Sequence, residues 1–224
     1  MGICSQDSPP LFSKTSTMNR GLSTLPVILS LFLLLSSPGP LVAVSAENGI
    51  DTTVTRDGVT FHIRCPNNSS LNKMVLEITA PGTDGKTIRR EVDGTVVDVR
   101  AGDLDQNGQP EIYIFTSSAG SGSYGNVIAY SVARDGSPQA INLPPLKKEP
   151  QSMQGYMGHD TFSLDKTSLI RSFPVYRKGD PNAAPSGGKR QIRYDLVYTD
   201  KGYQLRPVRM GRNRPQPPIL DIRP

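Results

Sequence analysis

The chain has 224 residues, a formal net charge of +5, two cysteines and no tryptophan. The positive excess is local: residues 47–205 balance Lys and Arg against Asp and Glu, while Arg206, Arg209, Arg212, Arg214 and Arg223 face only Asp221. With no aromatic interleaving and no nucleic-acid motif, this argues against a nucleic-acid partner, and two histidines argue against a zinc centre.

Leu25–Leu35 is an apolar run closed by Ser36-Ser37-Pro38-Gly39-Pro40, and Val44-Ser45-Ala46 supplies small residues for a peptidase. This is the plan of a secretory signal over residues 1–46, with Met18 as an alternative start. The run is shorter than the roughly 20 residues of a membrane span, so no span is expected after cleavage, and the mature chain is expected in the periplasm. Cys4 falls in the leader, leaving Cys65 alone; its residue pattern suits a half-buried strand position, with an intermolecular bridge as the alternative. Residues 47–208 are long enough to fold as one domain without disulfides. Residues 209–224 form an Arg/Pro-rich tail that cannot bury enough apolar area to order itself.

Strand signals recur from there. A polar lead, 47–55, precedes alternating runs at Val59–Arg64 and Lys73–Thr79. Thr87–Val92 and Thr95–Val99 flank Asp93-Gly94, a hairpin signal. Ile112–Thr116 and Val127–Val132 follow, then Gln139–Leu143 after the turn Arg134-Asp135-Gly136. Residues 144–160 read as loop. Thr161–Leu164, Leu169–Tyr176, Arg190–Tyr198 and Tyr203–Pro207 complete the set, with Asp200-Lys201-Gly202 turning the last two into a hairpin. No window carries helical spacing. The expectation is an all-β, antiparallel sandwich or barrel-like single domain of about eight strands.

Two loops carry the functional signals. Residues 117–125 are almost wholly Ser and Gly around one aromatic, Tyr124. Small residues lower the steric cost of unusual backbone angles, and a ring in such a loop has little core to bury it. The loop reads as an exposed probe, with the Ser121 and Ser123 hydroxyls beside the ring. Asp103, Asp105 and Asn107 stand at positions 1, 3 and 5 of a calcium-like loop, with Gly108 at 6 and Glu111 at 9. The Glu expected at position 12 is Ile114. Asx capping of a tight turn is the competing reading. Pro181–Arg190 is a hairpin connection that could instead form a rim beside Tyr124 and offer Lys189 or Arg190 to an acidic partner.

Catalysis has little support. A glycosidase needs two carboxylates across a cleft, whereas Asp103, Asp105 and Glu111 crowd one loop. A nucleophilic triad needs a histidine base. His62 alternates with Phe61 and Ile63 as a surface strand residue, and His159 sits in the turn-like Gly158-His159-Asp160. The chain is therefore expected not to be an enzyme and to need no cofactor, calcium excepted.

The segments Asp103–Phe115, Ser121-Gly122-Ser123-Tyr124-Gly125, Gly158–Phe162, Leu169–Tyr176, Pro185–Arg190 and Tyr194-Asp195-Leu196 occur in one order. Over roughly residues 50–208 this resembles the periplasmic inhibitors of invertebrate-type lysozyme from Gram-negative bacteria. The resemblance implies a β-sandwich-like domain, often a homodimer, acting in evasion of host defence. It also implies that Ser121 and Tyr124 enter the lysozyme cleft, shaped by Gly122, Ser123 and Gly125. The Ser hydroxyl would bond the catalytic carboxyl, and the Tyr ring would fill a sugar subsite. The Arg/Pro tail lies outside the resemblance. A calcium-steadied carbohydrate- or surface-binding module, using Tyr124 and Tyr130, is the alternative.

Overall fold

A computed structural model of the chain describes residues 49–146 and 153–208, so the expected leader and tail lie outside the described residues. The fold is all-β, in two sheets. Among the described residues there are twelve strands, where about eight were expected: β1 (Ile50–Arg56), β2 (Val59–Cys65), β3 (Leu71–Thr79), β4 (Lys86–Asp93), β5 (Thr95–Gly102), β6 (Glu111–Ser117), β7 (Gly125–Val132), β8 (Pro138–Asn142), β9 (Thr161–Leu164), β10 (Ser168–Pro174), β11 (Lys189–Thr199) and β12 (Gly202–Pro207). No helix among the described residues is long and apolar enough to cross a membrane.

The four-stranded sheet runs β1-β2-β3-β4, and the eight-stranded sheet runs β5-β6-β7-β8-β12-β11-β10-β9. All pairings are antiparallel except β8 with β12, which is parallel and short. The eight-stranded sheet curls until its ends approach: Phe162 on β9 stacks on Phe115 of β6 with ring centroids 5.5 Å apart.

Strand β6 explains the architecture. Its residues are buried on both faces, apart from the terminal Ser117. Ile112 and Ile114 point into a core shared with Phe61, Ile63, Met74 and Leu76 of the smaller sheet. Tyr113 and Phe115 point into a second core inside the curled sheet, with Leu169, Tyr194, Leu196 and Leu205. A strand covered on both sides reads as a continuous apolar run, as this one does. The smaller sheet is therefore laid on the outside of a nearly closed barrel.

Three expectations change. The polar lead is strand β1, an edge strand whose hairpin turn Asp57-Gly58 has both residues at positive φ, 50° and 80°. That is the geometry of a two-residue primed turn. Asp93-Gly94 is not a hairpin, because β4 pairs with β3 and β5 pairs with β6. It is the corner where the chain passes between sheets, and a side chain at Gly94 (φ +91°) would run into the Ser117 carbonyl. Cys65 is 2% exposed within the first core and unpaired. It is fully rather than half buried, which leaves no access for an intermolecular bridge.

His62 lies on the outward face of β2, opposite the buried Phe61 and Ile63, and pairs with both neighbouring strands. Its Nε2 is 2.7 Å from Asp51 Oδ1 on β1, and its Nδ1 is 3.2 Å from Glu77 Oε2 on β3. The bond to Asp51 raises its pKa above the ordinary value against the opposing effect of burial, and the Glu77 bond adds to the rise.

Candidate functional site

The loop from Ser118 to Tyr124 leaves β6 and returns to β7 as a short arch. Its neck is closed by Ser118 N donating to Tyr124 O (2.9 Å) and Tyr124 N donating to Ser118 Oγ (3.0 Å). At the tip Ser123 N donates to Gly120 O at 3.2 Å, with Ser123 at φ 40°. Ser121 and Tyr124 are exposed, Gly122, Ser123 and Gly125 intermediate. Tyr124 keeps 51% of its surface in solvent, unusual for an aromatic in a domain whose other tyrosines are mostly inside.

Behind the arch lies a buried polar brace. Asp160, with a fully covered side chain, accepts from Arg171 Nε at 2.7 Å on one oxygen. Its other oxygen accepts from Tyr156 Oη at 2.7 Å and from Gly125 N at 2.9 Å. Arg171 Nη2 also donates to Tyr156 Oη at 2.8 Å. Burial works against the Arg171 charge, but the bond and ion pair with Asp160 prevail and raise its pKa. Burial, with the bond to Asp160, also pushes the Tyr156 phenol up. The brace touches the arch directly: the Tyr156 ring meets Tyr124 edge-on at 5.8 Å between centroids. A depression of about 240 Å³ beside the Tyr124 ring has Asn126, Leu143, Tyr156 and Arg171 on its walls.

The arch is also held from the side. His159 N donates to Gly122 O at 2.7 Å. Gly158 makes this approach possible: at φ +92°, a side chain there would collide with that same carbonyl. Asn182 Nδ2 donates to Ser121 O at 2.8 Å, and Asn182 Oδ1 lies 3.2 Å from His159 Nε2. The Pro181–Arg190 connection therefore borders the arch, through Asn182. Lys189 is exposed at the start of β11, while Arg190 is half-buried and donates to Gln154 O at 3.1 Å.

The second loop, between β5 and β6, mixes both readings drawn from its sequence. Asp103 caps the turn, accepting from Asn107 N and Gly108 N, each at 3.1 Å. Asn107 Oδ1 accepts from Gln109 N at 2.7 Å. Yet Asp103, Asp105 and Glu111 bring carboxylate oxygens within 4.8 Å of one another. Glu111 is fully buried; its Oε2 accepts from Leu104 N at 2.8 Å and Tyr113 Oη at 3.4 Å, and its Oε1 has no partner. Burial, reinforced by the two aspartates, pushes its pKa up to about 7.

Sequence reasoning missed Asp160, Arg171, Tyr156 and Asn182. A signal existed for one of them. Arg171 alternates with Leu169 and Phe173 on the buried face of β10, and a charge on an apolar face demands a partner. Tyr130, offered for sugar stacking, is 8% exposed and belongs to the first core, so it is unavailable. Comparisons with protein-family models, with curated proteins and with solved structures give no match.

Proposed function

We propose that this domain is a protein inhibitor of lysozyme of the invertebrate type, which plugs the enzyme's cleft with the Ser121–Tyr124 arch. The observation that carries the reading is the half-exposed Tyr124 ring on an arch braced from behind by Asp160, Arg171 and Tyr156. A ring held in place loses little freedom on binding, and tyrosine anchors at interface centres carry much of the affinity. Lysozyme clefts present carboxylates and stack sugars; Ser121 offers a hydroxyl for the first and Tyr124 a flat face for the second. Lys189, exposed on the neighbouring strand, would meet the acidic rim. Occlusion of this kind asks no catalytic group of the inhibitor. The apolar leader supports a periplasmic setting.

The purified protein in molar excess should suppress lysis of peptidoglycan by an invertebrate-type lysozyme. Tyr124→Ala should weaken inhibition by about 2–4 kcal/mol, roughly 30- to 1000-fold, with little change in the cooperativity of unfolding. Undiminished lysis at large excess of folded protein, or a Tyr124→Ala variant that inhibits as well as the parent, would defeat the proposal.

A further inference from the structure

The structure assigns a second site, independent of the arch: we propose that Asp103, Asp105 and Glu111, with Asn107, bind a calcium ion at the β5–β6 turn. The decisive observation is the unpartnered Glu111 Oε1. Glu111 has no exposed surface, and two hydrogen bonds hold its Oε2 while Oε1 is left without a donor in a carboxylate that sits within 4.8 Å of those of Asp103 and Asp105. Burying a carboxylate oxygen with nothing to bond costs several kcal/mol, and native proteins meet that cost with a donor, a water or a metal. Here the neighbours are two more carboxylates, which worsen the repulsion unless a cation sits among them.

Geometry and donor chemistry choose the cation. Oxygens on opposite sides of one calcium are about 4.6–5.2 Å apart, twice the usual bond length. Carboxylate oxygens of Asp103, Asp105 and Glu111 lie within 4.8 Å of one another, so one ion can touch all three. The donors are oxygens alone, with no sulfur or imidazole, which disfavours zinc and copper. The spacing places side-chain oxygens at positions 1, 3, 5 and 9 around Gly108, whose φ of 76° makes the sharp turn. The bidentate Glu of a twelve-residue loop is replaced by Glu111 reaching up from the first position of β6. Its ligation would tie the turn to the barrel interior, where Glu111 shares a strand face with Tyr113 and Phe115. The site lies at the opposite end of β6 from the arch, so its occupancy can be read without lysozyme.

The test uses the full-length protein stripped with chelator. Calcium chloride at about 10 mM should raise the melting temperature by roughly 5–10 °C, the shift expected for a site filled at about a hundred times its dissociation constant. Terbium should give luminescence on tyrosine excitation, because Tyr113 Oη lies 3.4 Å from Glu111 Oε2 and Tyr203 Oη 3.3 Å from Asn107 Nδ2. Calcium should quench that signal by displacement. Glu111→Gln keeps an acceptor for Leu104 N and removes the charge. It should melt no lower than the parent in chelator and lose both the calcium shift and the terbium signal. Asp105→Asn, at a half-exposed position, should weaken calcium at least tenfold while remaining folded. Magnesium at equal concentration should shift the melt less. The inference is overturned by a parent with no calcium shift and no terbium signal, by Glu111→Gln responding like the parent, or by magnesium matching calcium.

Discussion

Replacing Asp160 by Ala tests the brace that holds the arch. The side chain removed is fully covered, and its ion-pair partner Arg171 is 7% exposed. Three donors lose their acceptor: the Arg171 guanidinium, the Tyr156 phenol and Gly125 N. Stranding one member of a buried ion pair costs about 3–5 kcal/mol, more than the pair itself contributes, because the remaining charge has nowhere to go. For a domain of this size each kcal/mol lowers the melting temperature by roughly 2–4 °C, so a fall of about 6–20 °C is expected. Arg171→Met should cost less, since Asp160 keeps Tyr156 and Gly125 as donors. The double variant should cost less than the sum of the two, with a coupling energy of about 1–3 kcal/mol, because Met takes the charge away along with its partner. Urea denaturation of the four proteins measures the cycle. Additive losses, each below about 1 kcal/mol, would refute the reasoning and mean that water reaches the pair. Inhibition supplies a second reading. Asp160→Ala frees Gly125 and should weaken inhibition beyond what its stability loss explains, whereas Arg171→Met should spare more of it.

Gly158, beside the arch, and Gly122, within it, should fail differently. Gly158→Ala meets a backbone carbonyl at a positive φ and should lose more than about 1 kcal/mol of stability together with inhibition. Gly122→Ala meets first the Tyr124 ring, at 2.5 Å, a side chain that yields more readily than a backbone carbonyl, so inhibition should fall while the melting temperature holds. His62 should titrate above its ordinary value in a proton NMR pH series, and Asp51→Asn should remove most of the displacement. A folded-state pKa raised above the unfolded one stabilises below about pH 6.5 and loses that contribution as pH climbs through the folded value. The protection factors of the β1-edge amides, corrected for base-catalysed intrinsic exchange, should therefore fall on the alkaline side, and a His62 pKa unaffected by Asp51→Asn would contradict this account.

The strands could be read from the sequence because their cause is local. Alternation in Val59–Cys65 and Leu71–Thr79 reflects one covered face, and the unbroken run Ile112–Phe115 reflects two. Strand β1 escaped because an edge strand facing water on one side carries Thr and Asp where a core strand carries Val and Ile; only the Asp57-Gly58 turn betrayed it. Asp93-Gly94 misled because a turn signal fixes the bend of the chain and not the sheet that receives the next strand. The arch was recognisable by composition, but its support was not. Asp160, Arg171 and Asn182 come from three segments between 35 and 61 residues away from their partners in the arch, and no local pattern encodes such a meeting.

Two residues nevertheless announced it in the same way. Arg171 stands between Leu169 and Phe173, and Glu111 stands two residues before Tyr113, each a charge on a strand face that is otherwise apolar. Burial penalises both charges, and the penalty must be answered inside the fold. For Arg171 the answer is visible as Asp160, and through Asp160 it becomes the rigidity of the arch. For Glu111 the protein supplies two donors to one oxygen and none to the other, and surrounds it with like charge. An unanswered charge and an answered one on the same kind of face are one physical problem with two solutions. The first is solved by the chain itself; the second is the one that the proposed calcium would solve. This is why chelation should soften the β5–β6 turn while leaving the Asp160 brace intact. It is also why exchange of the Leu104 amide, bonded to Glu111 Oε2, should speed on calcium removal while that of the Gly125 amide does not.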